Sequence, residues 1–97
     1  MTALRFRPEV VDDLADAWNW YEARSAGLGD EFLGAVERCN ERISANPALF
    51  ATVHRSVRRA LLWRFPFAVF FVIGDDVVQV LAVLHVRRDP GVWQKRA

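Results

Sequence analysis

Arg59, Arg64, His85 and Arg87 are the residues of this chain whose types and spacing could do chemistry. A guanidinium presents a rigid fork of N–H donors that meets a phosphate or a carboxylate with two bonds at once, and a histidine takes or gives a proton near neutral pH. Brought to one edge of a sheet, the three arginines could hold a phosphodiester while His85 moved the proton. The same set could equally grip acidic side chains of a protein partner. Spacing alone leaves both readings open.

Other reactive residue types carry less. Cys39, His54 and His85 lack the spacing of a zinc site, and one cysteine cannot build a disulfide framework. Neither a metal nor a cofactor is expected. Asp12, Asp13 and Asp16 fall in the early turns of a helix, where the dipole favours carboxylates, and read as a solvated face. Cys39 shares an apolar helix stripe with Phe32, Val36 and Ile43, with no general base near it in the sequence, and reads as an ordinary buried thiol. His54 reads as a surface residue.

The elements that must position the four candidates follow from periodicity. Ala3 to Arg7 alternates as a short strand, and Pro8 suits the first turn of the next helix. From Glu9 to Arg24, Val10, Leu14, Ala17, Trp18 and Tyr21 form one stripe at the helical period. The breaker-rich SAGLG at 25–29 leads to a second helix from about Asp30 to Ala45, stopped by Asn46-Pro47. These two helices make a hairpin whose apolar face needs a sheet. After a connection of undefined shape at 47–56, Val57 to Trp63, Phe67 to Ile73 and Asp76 to His85 read as successive strands.

If Gly74-Asp75 is a two-residue hairpin loop, Ile73 pairs with Asp76, and Phe71, Val69 and Phe67 face Val78, Val80 and Ala82. With Ala60 and Leu62 these make the face assigned to the helices. The opposite face then carries Arg59, Leu61, Trp63, Ala68, Phe70, Val72, Val77, Gln79, Leu81, Val83 and His85. That register sets Arg64 nearly opposite His85, with Arg87 one step further and Arg59 on a neighbouring strand. Each large apolar side chain left bare there forgoes roughly 1.5–3 kcal/mol of burial. A partner chain or self-association is therefore expected on this face, unless the tail from Asp89 to Ala97, with Trp93, covers it.

Ninety-seven residues make one domain, 1–97, with no internal repeat. The net charge of +1 is unevenly distributed: residues 1–50 hold five arginines against nine carboxylates, residues 51–97 eight basic groups against three. No apolar run approaches the roughly 18 residues of a membrane span, and no basic-then-apolar leader opens the chain. A cytoplasmic protein is expected, with no membrane partner.

The order strand, two helices, three strands and basic tail, with RPEVVDDLADAWNWYEARSAGLGDEFL, RRALLWRFPFAVFF and VLAVLHVRRDPGVW, resembles the RelE/ParE superfamily of type II toxin–antitoxin toxins over nearly the whole chain. The ParE-like branch, often labelled plasmid stabilisation proteins, is the nearer match. The resemblance implies an α+β fold of order β-α-α-β-β-β, an antiparallel-rich small sheet with the helix hairpin on one face. It also implies a growth-inhibiting toxin wrapped by the C-terminal segment of a cognate antitoxin, as a homodimer or a heterotetramer with it. The antitoxin would contact Leu61, Trp63, Phe70, Val72, Leu81, Val83 and Trp93.

The superfamily divides into ribosome-dependent mRNA endonucleases and inhibitors of DNA gyrase. RelE-like nucleases place basic residues on the second strand, an arginine early in the third, another after the fourth and often a tyrosine in the tail. Here Arg59 and Arg87 match, whereas Leu61, Ala68 and Trp93 do not. Alanine cannot stabilise charge on a scissile phosphate, and an indole has no hydroxyl. A non-enzymatic toxin acting on gyrase is thus favoured over a nuclease using Arg59, Arg64 and Arg87 on phosphates with His85 as acid or base. Ala68 also departs from ParE-like sequences, where an arginine is common, so an inactive or orphan binding module is a third reading.

Overall fold

A computed structural model describes all residues, 1–97. The elements run β1 (Ala3–Phe6), α1 (Glu9–Arg24), α2 (Leu28–Ala45), a 3-10 turn (Pro47–Leu49), β2 (Thr52–His54), β3 (Val57–Leu61), β4 (Phe67–Ile73), β5 (Val77–His85) and α3 (Pro90–Gln94). The sheet order is β1-β5-β4-β3-β2, with β1 parallel to β5 and every other pair antiparallel. The connection at 47–56 thus supplies an edge strand that alternation alone did not reveal. α2 begins two residues earlier than expected, and the tail contains a short helix.

The helix hairpin is fixed by its glycines and one carboxylate. Gly27 takes φ +88°, a conformation that L side chains rarely adopt, and the Glu22 carboxylate accepts from the N–H groups of Gly27 and Gly29 at 3.0–3.1 Å. A Cβ on Gly29 would lie 2.6 Å from the Trp18 indole, so only glycine lets the helices meet there. Trp18 Nε1 then donates to Asp30 at 3.0 Å. Between hairpin and sheet lies an aromatic cluster in which Phe32 sits 5.4 Å from Tyr21, 5.5 Å from Phe65 and 4.9 Å from Phe67. Val10, Ala17, Val36, Ile43, Val69, Phe71, Val78 and Val80 extend it.

The register of β4 and β5 differs from the expected one, with consequences for both faces. Gly74 N–H donates to Val77 O at 2.8 Å, so the turn is centred on Asp75-Asp76, and Ile73 pairs with Val78. Phe71 pairs with Val80 but Phe70 with Ala82, which leaves Leu81 as the extra residue of a β-bulge. One inserted residue reverses alternation beyond it. Ala82 and Leu84 therefore join the face away from the helices, while Val83 packs in the helix-side core and His85 stands over Phe67, ring centroids 5.5 Å apart. Val83 and His85 are not on the second face. Arg59, Leu61, Ala68, Phe70, Val72 and Leu81 occupy the face expected of them.

The bulge lies where β1 stops. β1 flanks β5 only to Phe6 opposite Val80, with Arg7 N–H donating to Val80 O at 2.9 Å. Past that point Val83 N–H donates to Asp13 Oδ2 at 3.0 Å, and Leu81 O accepts from Arg96 Nη1 at 3.2 Å. The two side chains close the set themselves, with Arg96 Nη1 2.7 Å from Asp13 Oδ2 and Nη2 3.2 Å from Oδ1. Asp13 is 8% exposed, the one buried charged residue, so it belongs to the core side of α1 and not to a solvated face. Its carboxylate raises the Arg96 guanidinium above its ordinary pKa.

A buried ion pair that also bonds otherwise unpaired backbone groups is costly to halve. Asp13→Ala should lower the unfolding free energy by about 3–5 kcal/mol, measured by urea denaturation. The double variant Asp13→Leu/Arg96→Met should cost less than the sum of its two single changes; strict additivity would show that the groups do not act as a pair.

Candidate functional site

The four candidate chemical residues do not converge. Arg59 is exposed on the second face, opposite Phe70 in register. His85 is half-buried on the helix side, its Nδ1 accepting the Arg87 N–H at 3.0 Å. The sheet therefore separates Arg59 from His85. Arg64, in the turn after β3, has φ +77° and pairs with Glu31 of α2 at 2.7 Å. Arg87 is exposed beyond β5. With His85 Nδ1 used as an acceptor, the neutral ring carries its proton on Nε2. No group of three His, Cys, Asp or Glu side chains is placed to hold a metal ion.

The second face is largely closed by the chain itself. Asp89 caps α3 by accepting from Gly91 N–H at 3.0 Å, and Pro90 occupies its first turn. This sets the Trp93 indole flat on Phe70, centroids 4.5 Å apart and planes at 14°, with the His54 ring 6.1 Å away in an edge-on arrangement. Beneath lie Val57, Ala68, Leu81, Ala82 and Leu84. Ala68 is wholly buried in the same cluster as Trp93, a small residue beneath a large one. Of the side chains expected to meet a partner, Phe70, Leu81 and Trp93 are thus buried on this face and Val83 on the other; Val72 is half-buried.

Leu61 and Trp63 are not covered. They are 52% and 71% exposed, at the end where β3 finishes, β4 begins and β5 ends. Val86, 38% exposed, is tied to the same end by its N–H bond to Pro66 O at 2.9 Å. Arg59 lies two residues before Leu61 on the same strand, and Arg64 and Arg87 directly follow Trp63 and Val86 in the chain. The result is an exposed apolar edge, smaller than the whole face that alternation predicted.

On the helix side of the same end a cleft of about 530 Å³ opens between α1 and the ends of β4 and β5. Asp12, Asp16, Trp20 and Tyr21 form its α1 wall, with Phe67, His85 and Arg88 across from them. Glu9, at its rim, is held below the usual carboxylate range first by its backbone N–H and then by Arg7, 3.3 Å away. Burial raises the Tyr21 hydroxyl. Sequence reasoning missed this cleft and the Asp13–Arg96 pair. The signal for the pair was present, because Val10, Asp13, Ala17 and Tyr21 repeat at 3-4-4 spacing, which puts a carboxylate on the buried stripe.

A family model described as "ParE toxin of type II toxin-antitoxin system, parDE" matches residues 4–90. Toxin ParE2 of Mycobacterium tuberculosis, from strains CDC 1551 / Oshkosh and ATCC 25618 / H37Rv, is 28% identical over 88 residues, spanning 90% of this chain and 84% of the relative. Among solved structures, a chain of the chromosomal ParDE TA system from P. aeruginosa superposes with a TM-score of 0.78 at 18% identity, over 90% of this chain and 98% of that one. That likeness is one of fold.

Cys39 tests the packing between hairpin and sheet. Its thiol is 1% exposed, lies 3.8 Å from Ala60 O and is pushed up in pKa by burial. Alkylation of the native protein at pH 8 should run at least about a hundredfold slower than in denaturant, read by mass spectrometry. Equal rates would place Cys39 outside the core.

Proposed function

Because the chain belongs to the ParE toxin family of type II toxin–antitoxin systems, we propose that it inhibits growth by acting on DNA gyrase in the cytoplasm and that a cognate antitoxin neutralises it. The observation that carries the choice of target is the separation of Arg59 from His85 by the sheet. A nuclease would need its phosphate-binding and proton-transferring groups within hydrogen-bond reach of one scissile bond. Here the bulge at Leu81 turns His85 away, and Ala68 and Trp93 fill the second face with carbon.

The antitoxin docks, in this reading, on the Leu61, Trp63 and Val86 edge. An exposed tryptophan is a residue type enriched in interface hot spots, and the arginines next to this edge in the chain favour a partner segment that alternates apolar and acidic residues. Phe70 and Leu81 contribute from below by holding Trp93 and α3 in place.

Induced alone in a bacterial host, the chain should arrest growth, and the purified protein should inhibit supercoiling by gyrase. Protein that leaves supercoiling untouched while stopping translation in a cell-free extract sinks the gyrase assignment. Trp63→Asp should weaken antitoxin binding by at least about thirtyfold, as expected for loss of roughly 2 kcal/mol at a hot spot, without lowering the melting temperature. Unchanged affinity would move the docking site elsewhere.

A further inference from the structure

β1 is an edge strand whose only neighbour is β5, and its backbone divides by parity. With Leu4 opposite Val78, Phe6 opposite Val80 and Arg7 N–H donating to Val80 O, the parallel ladder uses Ala3, Arg5 and Arg7. The N–H and C=O groups of Leu4 and Phe6 therefore point away from β5, and nothing else in the chain takes them. The open stretch has two fixed ends. Ser44 of α2 holds both Thr2 groups, its C=O accepting from Thr2 N–H at 2.8 Å and its hydroxyl donating to Thr2 O at 2.5 Å. At the other end Pro8, which has no N–H, leads into α1.

The side chains of this stretch define what an added strand must carry. Leu4 and Phe6 belong to the helix side, Leu4 packed against the core and Phe6 46% exposed. Arg5 alternates to the opposite face, exposed and in no ion pair. An antiparallel strand bonded to Leu4 and Phe6 sets one residue beside each of them and its middle residue directly across from Arg5. Apolar flanks and a central carboxylate complement that order. A second copy of β1 does not. Only three two-fold registers place outward-facing residues opposite one another. Centred on Arg5, the pairing sets Arg5 against Arg5, like charges directly opposite. Centred on Leu4, it brings Phe6 against Thr2, whose backbone groups Ser44 already holds; centred on Phe6, it brings Leu4 against Pro8, which has no N–H to give.

We propose that the outer edge of β1 takes an extended apolar–acidic–apolar segment of another protein, which extends the sheet as a further strand. Backbone bonds to Leu4 and Phe6 supply the register, the half-exposed Phe6 ring gains an apolar neighbour, and Arg5 selects the carboxylate. β5 and β4 separate β1 from β3, which carries Leu61, so the site is distinct from the Leu61–Trp63 edge. It depends on neither the gyrase nor the antitoxin assignment.

The test follows the Leu4 and Phe6 amides of the full-length, isotope-labelled protein. In the free protein both should exchange with solvent at least about tenfold faster than the Arg7 amide, at every protein concentration. The probe is the acetylated, amidated peptide Thr-Val-Glu-Val-Thr, and Thr-Val-Arg-Val-Thr is its charge-reversed control. The first should shift the resonances of residues 3–7 and 77–80 saturably, with a dissociation constant of order millimolar. When about nine-tenths of the protein is bound, exchange at Leu4 and Phe6 should slow by about tenfold. The control should bind at least about tenfold more weakly, and Arg5→Glu, a change at an exposed side chain, should invert the preference. No saturable shift from the carboxylate peptide, equal binding of the two peptides, or an unchanged preference in the folded Arg5→Glu variant would each overturn the proposal. Slow exchange at Leu4 and Phe6 in the free protein that is lost on dilution would place a second copy on this edge and overturn it as well.

Discussion

The bond set that joins Asp13, Arg96, Val83 N–H and Leu81 O is the constraint on which the rest of the molecule depends. A strand edge inside a protein must satisfy its donors and acceptors, and β1 is too short to do so for the second half of β5. One carboxylate from the first helix and one guanidinium from the tail stand in for the missing strand. Because the first comes from residue 13 and the second from residue 96, the same bonds tie the two ends of the chain together.

From that closure follow the shape of both faces. The bulge sends Val83 into the helix-side core and His85 toward α1, which creates the cleft wall, and it brings Leu81 and Ala82 together on the other face. Arg96, anchored at the edge, places Trp93 over Phe70. The sheet is thereby covered on one side by two long helices and on the other by five residues of α3, which reach its centre but not its Leu61–Trp63 end. At that end the Trp63 side chain stays exposed.

Much of this was legible in the sequence, and the failures have two physical sources. Helical stripes, the glycine connection and the strands β3 to β5 are local patterns, and the faces of β3 and β4 followed from alternation. The bulge has no local signature, because VLAV is apolar at every position and alternation cannot tell which residue is extra. One undetected residue moved Val83 and His85 to the wrong side and assembled a four-residue chemical set that the fold takes apart. Asp13 was misread for the opposite reason: its position on the buried stripe was visible, but its partner lies 83 residues away, and pairing over that separation is a property of the fold. The family resemblance, carried by whole-chain order, was insensitive to either error.

The most direct measurement of this closure is native-state hydrogen exchange at the Val83 amide in the full-length protein. If Asp13 replaces a strand there, Val83 should exchange only by global unfolding, with the same opening free energy as the Val69 and Phe71 amides inside the sheet. Exchange of Val83 through a low-energy local opening, together with the α3 amides, would contradict the account, because the edge of β5 would then be frayed and the tail only resting on the second face.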